Sequence, residues 1–104
     1  MPTVAERALA GMRCQVAEHL RGVRERLAEE LRSYPTPIPR CDAQFNHLYD
    51  QLGRLSRDLD AIEGAASERA AVKVFVASAP YTDDPSEREL RSRMRKALQS
   101  AASV

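Results

Sequence analysis

From Phe45 the apolar residues step Phe45, Leu48, Leu52, Leu55, Leu59, Ile62, alternating intervals of three and four. That spacing holds one stripe on one side of a helix, so the segment folds as a helix that must lie against another. Just before it, Tyr34-Pro35-Thr36-Pro37-Ile38-Pro39 forbids helix continuation, because proline lacks an N–H and pushes the residue before it toward extended backbone. The chain turns there. Asp42 is then placed to cap the second helix by accepting a backbone hydrogen bond.

A first arm precedes the turn, with Leu9, Met12, Val16, Leu20, Val23, Leu27 and Leu31 as its apolar set and Tyr34 closing it. Its intervals of three, four and four make an 11-residue repeat, which suits a nearly straight helix. The seven-residue repeat of the second arm favours a left-handed wrap. The two arms together read as an antiparallel helical hairpin, with long helices over about 4–33 and 42–64 or longer, better suited to a short bundle than to a long supercoil. Oppositely charged residues four apart flank the stripes: Arg21 and Glu25, Arg26 and Glu30, Asp50 and Arg54, Arg54 and Asp58. Each such pair adds only about 0.2–0.5 kcal/mol to an isolated helix.

Gly64-Ala65-Ala66-Ser67 weakens the pattern, and the segment after it is ambiguous. Val72, Val74 and Val76 alternate like a strand, whereas Val72, Phe75, Val76 and Ala79 fit a helical face. A lone strand in a helical chain would have no partner, so a helix is expected, continuous with the second arm or after a kink near Gly64. Asp84-Pro85-Ser86-Glu87 supplies an N-cap, a proline at the first helical position and a Glu at the third. A C-terminal helix over about 85–101 follows, with Leu90, Met94, Ala97, Leu98 and Ala101 on its inner face. The expectation is one all-α domain, residues 1–104.

A last helix of about 18 residues spans about 27 Å, too short to cover the apolar seam of arms about 45 Å long. A second copy would cover the remainder, so the bundle is expected to be completed by homodimerisation. The four glycines fall in pairs across the hairpin, Gly22 level with Gly53 and Gly11 with Gly64, either by coincidence or because helices approach closely there.

Sixteen Lys and Arg stand against fifteen Asp and Glu, a balance that argues against a protein built wholesale to coat nucleic acid or an acidic membrane. Fourteen of the cations are Arg, the side chain suited to forked contacts with carboxylates. Neither a signal peptide nor an apolar run of membrane-spanning length stands out, so a cytoplasmic protein with reduced cysteines is expected.

Cys14, His19, Cys41 and His47 are zinc-ligand types, but five and six residues separate the members of each pair, which puts them on different helix faces. Cys14 also lies about 30 Å from the turn. No metal, cofactor or disulfide is expected. No phosphate-binding glycine loop is present, and no motif sets Ser or Cys beside a base, so an enzyme is not expected either.

Two surfaces remain. At the turn end Tyr34, Ile38, His47 and Tyr49 gather with Phe45, either as a small aromatic core or as a docking site for an unknown protein partner. The last helix carries Arg88, Arg91, Arg93, Arg95 and Lys96, and Arg88, Arg91 and Arg95 share a flank that could track phosphates. The leading expectation is a non-enzymatic helical interaction and oligomerisation module. The alternative is a small nucleic-acid-associated protein using the basic C-terminal helix.

Overall fold

The first arm is two helices rather than one. In the computed structural model, which describes residues 4–35 and 43–102, α1 (Val4–Leu9) and α2 (Met12–Arg32) are separated at Gly11. Gly11 adopts φ 76°, a left-handed conformation that costs a residue with a Cβ about 1–2 kcal/mol. The 11-residue repeat therefore crosses a break: Leu9 belongs to α1 and Met12 opens α2. With glycine as N-cap, α2 has no side-chain cap of its own. Glu68 supplies one from elsewhere in the chain, its Oε2 accepting from Arg13 N at 2.8 Å.

The second arm is α3 (Ala43–Glu63), followed by α4 (Glu68–Ala77) and α5 (Pro85–Ala102). No strand occurs among the described residues. Residues 36–42 fall outside them, and with them Ile38, Cys41 and the proposed Asp42 cap. The ambiguous valine-rich segment is helical. Ser67 caps α4, accepting from Ala70 N at 3.1 Å, and Ala71, Val72 and Phe75 are fully buried at helical spacing. At the other end Asp84 Oδ1 accepts from Ser86 N at 3.0 Å, which places Pro85 in the first turn of α5.

Helix α4 is the keystone. It packs against α1, α2, α3 and α5, and α5 lies against α4 and α1 rather than along the hairpin seam. The core joins Val16, Leu20 and Val23 of α2, Leu55, Leu59 and Ile62 of α3, Val72 and Phe75 of α4, and Leu90 and Met94 of α5. Burying each large apolar side chain contributes about 1.5–3 kcal/mol.

Helix α4 thus covers the lower half of the seam from within the chain, a contribution that comparing the length of the last helix with that of the arms leaves out. The upper half, where α2 and α3 run beyond the end of α4, forms a two-helix arm. The molecule measures 55 × 25 × 18 Å with a radius of gyration of 16.0 Å, against about 13 Å for a compact chain of this size. The glycines do not mark helix crossings: nothing lies within 4 Å of a Cβ placed on Gly22 or Gly11. Gly64 ends α3, its N–H donating to Asp60 O.

Candidate functional site

The loop between α4 and α5 is fixed by a cluster of polar side chains. Glu87, the third residue of α5, is 1% exposed. Rather than reaching back to the N–H of Asp84, its carboxylate accepts from Tyr81 N at 2.9 Å and from His19 Nε2 of α2 at 2.7 Å. Arg91 Nε, one turn along α5, stands 3.4 Å from the same carboxylate. A buried carboxylate needs such partners, since one left unpaired would cost several kcal/mol.

Arg91 is 3% exposed. Its guanidinium donates to Phe75 O at 2.9 Å, which also accepts from Ser78 N, and to Ser78 O at 2.8 Å and Ala79 O at 3.1 Å just past the end of α4, where a cation also opposes the helix dipole. Arg54 of α3 reaches the same loop from the opposite side, donating to Ala79 O at 3.0 Å and Pro80 O at 3.1 Å. Between the two arginines lies Tyr81, stacked on Phe75 at 6.4 Å, with the Arg54 guanidinium 4.2 Å above its ring. Its hydroxyl donates to Asp58. Burial, reinforced by the bond to Asp58, pushes the Tyr81 phenol up to about 12.

These contacts alter the placement of the basic flank. Arg88 and Arg95 are exposed on α5, as are Arg93 and Lys96, whereas Arg91 turns inward and is spent on α4. A phosphate reaching Arg88 and Arg95 would not meet Arg91.

The residues of the turn end divide between two faces of the arm. Tyr34 meets Phe45 edge-on at 5.7 Å, and Phe45 stacks with Tyr49 at 6.4 Å. Tyr49 is the one large hydrophobic exposed among the described residues, at 64%. His47, two positions away, is rotated by about 200° around α3. It opens instead onto a groove of about 410 Å³. Val23, Leu27 and Leu48 supply its apolar lining, Arg26 and Glu30 one wall, Gln44, His47 and Gln51 the other, and Pro80–Asp83 close its lower end. His47 and Tyr49 therefore do not make one continuous docking surface.

The paired charges along the helices also distribute unevenly. Arg54 lies 3.8 Å from Asp58, but Arg21 leaves Glu25 and crosses to Glu63 of α3 at 2.6 Å. Arg26 and Glu30 form no ion pair among the described residues. Arg32 takes Glu29 at 2.7 Å, and that contact holds the Glu29 carboxyl below its usual range. Cys14 is exposed, while His19 is turned to Glu87. No three His, Cys, Asp or Glu side chains converge as a metal site among the described residues.

Along the sequence Glu87 and Arg91 look like a helix cap and a surface cation, whereas the structure buries both in one polar cluster. A signal was present: Glu87, Leu90, Arg91 and Met94 are spaced as a single helical stripe, so the inner face begins one turn earlier with two charges in it. No helix of the described residues is long and apolar enough to cross a membrane. No protein-family model, curated protein or solved structure matches the chain.

Proposed function

We propose that the chain is a non-enzymatic helical interaction module, a five-helix base that holds out the α2–α3 arm as its contact surface. The observation that carries this reading is the arm itself: two helices extending past the pinned 78–84 loop, with Tyr49 open to solvent on one face and the groove along the other. Exposed aromatics are residues that protein interfaces use as anchors, and a groove on the other face offers a second place for contact. A non-catalytic role is supported by the base, where Glu87, His19, Arg91 and Arg54 are committed to one another and to backbone carbonyls.

Alanine at Tyr49 and at His47 tests the reading. Loss of a bound protein with an unchanged melting temperature supports it; a lowered melting temperature with partners retained makes these residues structural and removes it.

The second reading, nucleic-acid association, rests on the exposed cations Arg88, Arg93, Arg95 and Lys96 of α5. Duplex DNA offered at low salt decides it, because phosphate contacts strengthen as salt falls. No binding there ends it.

A further inference from the structure

Arg26 and Glu30 stand one helical turn apart on the wall of the groove; neither forms an ion pair within 4 Å among the described residues, and Arg26 acts on Asp84 only at longer range, after the hydrogen bonds from Ser86, as a lesser cause of that carboxyl's lowered pKa. On the same helix Arg21 is paired with Glu63 at 2.6 Å and Arg32 with Glu29 at 2.7 Å, while Arg24, which does not line the groove, is unpaired among the described residues as well. The order Arg then Glu, four residues on, is the weaker arrangement for a pair within one helix. The same two charges are self-complementary across a two-fold axis: when two α2 helices run antiparallel, each arginine meets the other copy's glutamate, and both pairs form at once.

We propose that the groove face of the arm is an isologous contact with a second copy of this chain, arms antiparallel, with Arg26 of each copy paired to Glu30 of the partner subunit. The proposal rests on reading the arm as the interaction surface and names its occupant. The dyad passes midway between Arg26 and Glu30 on α2, with Val23, Leu27 and Leu48 beneath the contact. The face is bounded below by Pro80–Asp83 and above by the end of α2 at Arg32. That leaves about ten residues of each helix, or about 15 Å, which places the contact among the small interfaces of weak association. The charge pairs set its register and make it weaken with salt.

Charge exchange tests the arrangement by sedimentation equilibrium at low salt. Wild type self-associates with rising concentration. Arg26→Glu and Glu30→Arg each place like charges across the dyad and weaken self-association by about tenfold or more, with helical content and melting unchanged. An equimolar mixture of the two variants associates again, because every contact is then between opposite charges, and the double variant R26E/E30R associates like wild type. Wild type that stays monomeric throughout overturns the proposal, as do single variants that dimerise as well as wild type, which would put the contact on another face. Capture of a different protein through His47 or Tyr49 by a monomeric wild type leaves the arm as the interaction surface while removing the second copy as its occupant.

Discussion

Glu87 at the start of α5 and His19 in the middle of α2 lie 2.7 Å apart, though 68 positions separate them in the chain. This bond ties the α4–α5 loop to the hairpin and sets where the base stops and the arm begins. Glu87→Ala leaves Arg91 buried without its carboxylate and the Tyr81 amide without an acceptor. It is expected to lower stability by about 3–5 kcal/mol, and His19→Ala by about 1–3 kcal/mol. Urea unfolding followed by helical signal measures both; an unaltered Glu87→Ala midpoint contradicts this account of the loop.

Tyr81 gives the base an alkaline limit. Its phenol is raised from 10.0 to about 12 in the folded state, so the fold favours the protonated form. The corresponding stability is fully present below about pH 10 and is lost as pH rises through about 12. Ultraviolet titration of tyrosinate is expected to show a tyrosine that ionises only as pH approaches about 12. Tyr81→Phe removes this dependence and leaves Asp58 without the hydroxyl. A tyrosinate titration that is complete well short of pH 12 while the helices stay intact would contradict the burial assigned to Tyr81.

The arginines of α5 divide by role. Arg88→Glu and Arg95→Glu alter exposed positions and are expected to change stability by no more than about 0.5 kcal/mol. Arg91→Lys substitutes a point charge for a fork that spans three carbonyls and a carboxylate, and is expected to cost about 2 kcal/mol or more. Thermal melts of the three variants separate these roles directly.

Two glycines in the first arm respond in opposite directions. Gly11→Ala forces a Cβ into a left-handed conformation and is expected to destabilise by about 1–2 kcal/mol. Gly22→Ala, in the middle of α2 with open space around it, is expected to stabilise by about 0.5–1 kcal/mol.

The hairpin and the C-terminal helix were legible because their signals are local: the three-four ladder from Phe45, the prolines after Tyr34, and the Asp84-Pro85 start of α5. The break at Gly11 was hidden because the apolar stripe runs on across it, from Leu9 to Met12, while the backbone does not. Helix α4 was ambiguous because its valines satisfy both periods, and burial of Val72 and Phe75 against four other helices decides between them. The polar cluster was the hardest to read. Along the sequence Asp58 looks like half of a helical charge pair, Glu87 like part of a helix start and His19 like an isolated ligand type, and only the packing of α4 between α2, α3 and α5 brings them to one loop.

The most direct test of the arm as the contact surface is photo-cross-linking in the native cell. A photoreactive residue is placed in turn at His47, Tyr49, Arg88 and Arg95, and adducts are resolved by mass. Protein adducts are predicted from His47 and Tyr49 and not from the α5 positions, with a second copy of the chain among those from His47. Adducts confined to Arg88 and Arg95, whether to protein or to nucleic acid, would contradict the account.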